Sequence, residues 1–397
     1  MAREDGFRSV LAELRTGGRR GRWLGLGSTS ALMAASVVLA ACQLVIPLPP
    51  PPSGTVTFQR ELIDPRDTGA DVKAVGDIDG DGDMDVVAGD NEGLPLQWYE
   101  NPSWTVRVID NRSVFTTDVE LGDVDRDGDI DVIVPDYPAG TMLWYANPRI
   151  GGGSWRATIL GSADAHDVQV GDQDRDGDLD VLVRGHGSET VLFLQLTPSS
   201  WARRVLPAPP GEGLGYGDID GDGDLDVAQN GWWLEAPADA SNGSWIRHEF
   251  ASGWPELVAA EVVDVNGDGR NDIVVAASES LGRLVWYEAP PSPRTGVWAE
   301  HVVAADVGYV HQFGVADVDR DGDKDVVFAE MAQSPSGRIG WFANGGSGLS
   351  WTLTTIATTG SHNIRVVDMD RDGDVDIVGS NFGDTSPLEL WRNLGRS

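Results

Sequence analysis

The chain has 397 residues and a formal net charge of −34, with 29 Lys and Arg set against 63 Asp and Glu. So acidic a surface repels phosphate backbones, which excludes nucleic acid as a partner, and a single Cys excludes a disulfide framework. The acid is concentrated, with 33 Asp in seven nine-residue stretches; seven divalent cations, fourteen positive charges, would bring the balance to −20.

The first 41 residues form a composition class of their own. Arg15, Arg19, Arg20 and Arg22 precede an apolar stretch at 31–41 that runs into Leu39-Ala40-Ala41-Cys42. This is the pattern of a secretory signal, and the stretch is too short for a comfortable membrane span. The tetrad resembles a bacterial lipobox, which implies cleavage before Cys42 and lipidation of that residue. Within the same resemblance, Gln43 in place of Asp implies the outer rather than the inner membrane. The alternative is a secreted protein with an incidental Cys. Pro47 and the prolines at 49–52 make residues 42–53 a stiff spacer. The expected location is extracytoplasmic, at an outer membrane or cell surface, with membrane contact through the lipid alone.

Residues 54–397 read as repeats. The acidic stretches lie at 77–85, 123–131, 172–180, 218–226, 264–272, 317–325 and 368–376, their first residues 46, 49, 46, 46, 53 and 51 apart. That is the period of a propeller blade. Before each comes a short strand such as Val119-Glu120-Leu121-Gly122. After each comes a β-branched run such as Val86-Val87-Ala88, a Gly- or Pro-rich turn, and an aromatic strand such as Leu96-Gln97-Trp98-Tyr99. A last strand follows Trp104, Trp155, Trp201, Trp245, Trp298 or Trp351. Four strands per repeat predict an all-β, seven-bladed propeller of four-stranded blades. Only six Trp-led strands follow an acidic stretch, and residues 58–63 share their register. That segment is expected to complete the seventh blade and close the ring, covering faces that an open array would expose.

Each acidic stretch places oxygen ligands at positions 1, 3, 5 and 9 around a Gly at position 6, the first half of a loop that wraps a hard cation. The expected ligands are Asp77, Asp79, Asp81 and Asp85; Asp123, Asp125, Asp127 and Asp131; Asp172, Asp174, Asp176 and Asp180; and Asp218, Asp220, Asp222 and Asp226. The series continues with Asp264, Asn266, Asp268 and Asp272; Asp317, Asp319, Asp321 and Asp325; and Asp368, Asp370, Asp372 and Asp376. Four or five ionised carboxylates in one turn repel one another unless a cation joins them. About seven Ca²⁺ per chain are expected, the fifth site weakest because Asn266 removes one ligand charge; Arg270 stands at position 7, which ligates through its backbone carbonyl.

The motif, the period and the Trp-Tyr-Glu-Asn type of aromatic strand, 98–101, resemble the FG-GAP/VCBS-repeat family, whose calcium-loop propellers include the head domain of integrin α subunits. The resemblance covers residues 54–397. It implies metal and blade architecture more strongly than activity, because the family holds adhesion modules, glycan-binding proteins and a few lyases or dehydratases.

In such blades the acidic loop and the start of the innermost strand lie on opposite faces. Six residues before each loop stand Asp71, Thr117, His166, Glu212, Val258, His311 and His362, a ring round the channel mouth holding three of the chain's six His. Asp71, His166, Glu212, His311 and His362 are candidates to hold a second metal ion, of the transition-metal class, or to act as general acid and base on a ligand over the channel; the alternative is a purely structural ring. The turns between second and third strands should share that face. They carry Asp90 and Asn91, Asp136 and Tyr137, His186, Trp232 and Trp233, Glu279, Glu330, and residues 381–384. Either Trp232 or Trp233 could instead be the aromatic-strand Trp of a shortened blade. Trp98, Trp144, Trp286, Trp341 and Trp391 read as packing between blades.

The expected function is a calcium-loaded, membrane-anchored binding or adhesion module for a protein or glycan, monomeric, with no catalytic residue assigned. The alternative is a carbohydrate lyase or dehydratase acting at the channel mouth. No Ser-His-Asp, zinc-helix or phosphate-loop pattern is present.

Overall fold

Strand periodicity is realised as seven antiparallel four-stranded sheets in the computed structural model, which describes residues 54–66, 68–148, 153–185, 189–209, 211–382 and 386–396. The signal, Cys42 and the spacer lie outside the described residues. All regular structure described is β. Six blades are consecutive in sequence, their first strands being Val72–Gly76, Glu120–Gly122, Asp167–Gly171, Gly215–Gly217, Val258–Val263 and Phe313–Ala316. The seventh combines Asn363–Val367, Asp376–Ser380 and Leu388–Arg396 with Val56–Asp64 from the other end of the domain. There Phe58 pairs with Asn393, Arg60 with Trp391 and Leu62 with Glu389, so the ring closes as the register of 58–63 predicts.

Alternation along each strand explains how blades stack. In Asp85–Gly89, Val87 packs toward blade 2 with Val72, Trp98, Val132 and Tyr145. Its neighbours Val86 and Ala88 point the other way, to Leu388 and Leu390 of blade 7. Both sides of every central strand are therefore buried, which is why these runs read as continuously apolar rather than alternating. Trp98, Trp144, Trp286, Trp341 and Trp391 all lie in these inter-blade layers, as expected.

The first strands face one another round the axis, where a radial array is most crowded. Glycine ends several of them for that reason: a Cβ on Gly122 would stand 2.5 Å from Leu179 Cδ1 of the next blade. Acidic loops and third-to-fourth strand turns share one face of the disc. The second-to-third turns and the links between blades share the other.

Candidate functional site

Seven nearly identical loops build the acidic face. Positions 4 and 6 are left-handed throughout, with Gly80 at φ 74° and Gly82 at φ 105° in the first copy, and this curls the chain so that successive carboxylates point inward. Position 4 is Arg in four copies, and Arg126, Arg175, Arg320 and Arg371 hold φ of 56–60° at a residue type that seldom adopts it. Position 1 fixes the curl: Asp123 accepts the N–H groups of Asp127 and Gly128, both at 3.0 Å.

Position 9 does something the spacing does not reveal. Each of Asp85, Asp131, Asp180, Asp226, Asp272, Asp325 and Asp376 accepts the position-2 N–H at 2.8–3.0 Å through Oδ2. Through Oδ1 it accepts, at 2.7–2.9 Å, an N–H in the last part of its own third strand or just after it. Burial pushes these carboxyls up, to about 6 at Asp131 and Asp376 and to about 8 at Asp226.

The loops fit a cation. One oxygen from each of Asp77, Asp79 and Asp85 lies within 4.8 Å of the others, as do those of Asp172, Asp174 and Asp180, and of Asp218, Asp220 and Asp226. Asp77 Oδ1, Asp125 Oδ1 and Asp172 Oδ1 are buried without a hydrogen-bond donor, which is costly unless a cation serves. Guanidinium groups reach other copies: Arg294 to Asp220 and Asp222 at 2.7 and 2.8 Å, Arg392 to Asp370 at 2.7 Å, Arg396 to Asp319, and Arg270 to its own Asp268.

Neighbouring loops are also tied together. Arg126 reaches Asp178 of the next loop at 2.6 Å, Arg175 reaches Asp224 at 2.7 Å, and Arg320 reaches Asp374 at 2.7 Å. An amide closing the third strand reaches back to the previous loop. Asn147 Nδ2 donates to Ile78 O at 2.8 Å, Gln195 Nε2 to Val124 O at 3.2 Å, and Asn393 Nδ2 to Val318 O at 3.0 Å. Blades 4 and 5 carry Ala236 and Ala289 at this place, and other amides link those blades: Gln173 Nε2 to Leu225 O at 2.8 Å and Asn271 Nδ2 to Asp218 O at 2.7 Å. The sequence signal for this was the Asn in the aromatic strand pattern.

On the opposite face the candidate ring comes together, and further than equivalence around a circle requires. His166 of blade 3 and His311 of blade 6 cross the mouth and meet with ring centroids 5.0 Å apart; His311 and His362 stand at 4.1 Å. Acids hold both ends of this row. His362 Nδ1 lies 2.7 Å from Asp71 Oδ1, and His166 Nε2 lies 3.2 Å from Glu212 Oε1. Ser278 Oγ donates to Glu212 Oε2 at 2.8 Å, and Asp71 Oδ2 accepts Thr117 N–H at 3.0 Å. Thr117 and Val258 contribute no charge. Burial opposes a charge on His166, but Asp167 and Glu212 prevail and raise it to about 9. His311 is held well below its ordinary value by burial and by His362 and His166.

Beneath this row lies a cavity of about 60 Å³ lined by Asp118, Asp167, Glu261, Gln312 and Asn363 among others. Arg365 Nη2 donates to Asp118 Oδ1 at 2.7 Å beside it. Burial pushes Glu120 and Glu261 up to about 8, against the pull of Arg365.

Several turn residues do not present themselves to a ligand. Trp232 and Trp233 both belong to the third strand Trp232–Glu235 and are buried, so the pair is core rather than an exposed platform. Asp90 accepts the N–H groups of Glu92, Gly93 and Leu94 within its own turn, Asp136 pairs with Arg112 at 2.6 Å, and Glu330 pairs with Arg338 at 2.7 Å. Asn381 donates to Thr359 O at 2.9 Å. Asn91, Tyr137 and Glu279 are exposed. His186, Gly383 and Asp384 lie outside the described residues.

Solved structures share this fold. A crystal structure of BBS1N in complex with ARL6DN, soaked with lead, aligns with a TM-score of 0.56 at 10% identity, covering 87% of this chain and 100% of that one. A mercury-soaked crystal of the same complex gives 0.53 at 12% identity, with coverage of 85% and 96%. At such identities the likeness concerns the fold alone. No curated protein matches the chain. The FG-GAP-like repeat profile matches residues 77–134, 123–183, 264–328 and 317–379, each beginning at the first Asp of an acidic loop. These matches merge into 77–183 and 264–379, more than half of the sequence, and the chain belongs to the FG-GAP-like repeat family.

Proposed function

We propose that this chain is a calcium-stabilised binding module, held outside the cytoplasm by a lipid on Cys42, that recognises a protein or glycan through the face opposite its acidic loops. The two faces divide their side chains, and that division carries the reading. On the acidic face the carboxylates at positions 1, 3, 5 and 9, with the position-7 carbonyl, would hold Ca²⁺, and the Arg and amide links already commit that face to joining blades. On the other, Tyr137, Leu281 and Phe382 are 57%, 62% and 44% exposed, large apolar groups of the kind that binding faces use.

Phe382 stands 4.9 Å from His362, and a groove of about 340 Å³ runs beside Leu281 along Trp254, Pro255 and Arg283. Its volume is that of a ligand site. The cavity below the His row, at about 60 Å³, holds water but no sugar ring, which favours surface recognition over a buried lyase centre. BBS1N in complex with ARL6DN offers a propeller of like fold joined to another protein, in support of the protein option. The module acts as a monomer, held off the membrane by its proline spacer.

A glycan array, together with crosslinking on intact cells, tests this. The expected ligand is lost in Trp254→Ala or in Tyr137→Ala/Phe382→Ala. A ligand that survives all of these and disappears with Arg294→Ala would move the site to the other face, and release of unsaturated sugar products would replace a module with a lyase. Palmitate labelling that is equal in the wild type and Cys42→Ala would remove the anchor.

A further inference from the structure

We propose that the channel mouth is a transition-metal site of the zinc class, separate from the acidic loops, with His311, His166 and Glu212 as its protein ligands. One ligand atom from each of these residues lies within 4.8 Å of the others, close enough for small rotations to bring all three onto one ion. The residues come from blades 3, 4 and 6, and the closed ring sets their approach across the axis.

His311 carries the argument. It is 9% exposed, and its Nδ1 lies 2.7 Å from Asn363 Oδ1. The Asn363 amide nitrogen is already spent as a donor to the carbonyls of Thr117 and Asp71. Its oxygen can only accept, so His311 Nδ1 carries the proton and Nε2 presents a lone pair. That Nε2 is buried and meets no hydrogen-bond donor. An imidazole fixed in one tautomer by an outer acceptor, with its other nitrogen buried and bare, is how proteins prepare a His ligand.

The other two ligands also have outer partners, that of His166 a charge contact rather than a hydrogen bond. Asp167 Oδ2 lies 3.5 Å from His166 Nδ1, leaving Nε2 toward Glu212, and Ser278 Oγ donates to the Glu212 oxygen remote from His166. The metal would take the place of the proton that otherwise lies between His166 Nε2 and Glu212. His362, tied to Asp71, packs against His311 and walls one side. Two imidazoles and a carboxylate select a zinc-class ion over Ca²⁺, which prefers oxygen alone, and leave a fourth position open at the mouth. This inference does not rest on the recognition reading, since the chain can bind such an ion and no glycan.

The test uses the full chain, stripped of metal and returned to saturating Ca²⁺, then titrated with Zn²⁺ against a chromophoric chelator. One Zn²⁺ per chain is expected, and Co²⁺ in its place should give the strong visible absorption of a four-coordinate site. His311→Gln should weaken binding more than about a hundredfold, and Asn363→Ala, which acts through His311, about ten- to a hundredfold. His248→Gln, on a fourth strand and stacked on Trp233, should change nothing. Should His311→Gln fail to fold, X-ray absorption of the wild-type zinc form decides, with scattering from two imidazoles expected. No stoichiometric Zn²⁺ in excess Ca²⁺, equal binding by His311→Gln and Glu212→Gln, or a zinc shell of oxygen alone would overturn the proposal.

Discussion

At Asp226 each carboxylate oxygen ends on a buried backbone N–H, of Ile219 at 2.9 Å and of Ala236 at 2.8 Å. Asp226→Ala would strand both donors where water does not reach, at about 1–3 kcal/mol each. Urea unfolding in saturating Ca²⁺ should therefore show a loss of about 2–5 kcal/mol, and a loss under about 1 kcal/mol would mean that these bonds are dispensable. Glu261 gives a second prediction. Burial raises its carboxyl from 4.5 to about 8, with Arg365 pulling the other way. A raised folded value means stability that is whole below the ordinary value of 4.5, falls progressively as pH climbs from there to about 8, and falls no further above it. Glu261→Gln should thus lose less stability than wild type between about pH 5 and about pH 8, compared by denaturant midpoints at fixed Ca²⁺; parallel losses would contradict it. The repeated spacing made the carboxylates at positions 1, 3, 5 and 9 legible in the sequence. That position 9 is a double backbone acceptor was hidden, because an Asp that ligates and an Asp that caps are the same letter until the third strand arrives beside it.

The acidic loop is also an element that neighbours share. Arg175 holds φ 60° and reaches Asp224 of the next loop with its side chain half exposed. Exposed pairs contribute about 0–1 kcal/mol, and a Gly, as at Gly80, relieves the backbone. Arg175→Gly should then shift stability by no more than about 1 kcal/mol in either direction, read from a thermal melt. A loss beyond about 2 kcal/mol would show that the loop ring is cooperative rather than a set of surface pairs. Strand order and aromatic layers were legible from periodicity, because both faces of each central strand are buried. Trp232-Trp233 was ambiguous for the same reason: in a strand of four residues, adjacent aromatics can both be core, one for each neighbouring blade. Contacts such as Arg294 to Asp220 had no local signal, since they depend on how one blade is placed against the next.

For the whole molecule, closure was readable because residues 58–63 repeat the register of a fourth strand, and Val56–Asp64 does pair with Leu388–Arg396. The ring of channel-mouth positions followed from counting back from the loops. The meeting of His166 with His311 across the axis did not, because side-chain direction at the mouth depends on the diameter of the closed ring. The central claim is that divalent ions pin this toroid shut. If external Ca²⁺ stands about tenfold above each dissociation constant, every site adds about 1.4 kcal/mol, and seven sum to about 10 kcal/mol, the scale of an entire domain's stability. Differential scanning calorimetry of the chain with Ca²⁺ and with excess EGTA tests it most directly. The account predicts a large fall in melting temperature on chelation, restored by Ca²⁺; superimposable melts would contradict it.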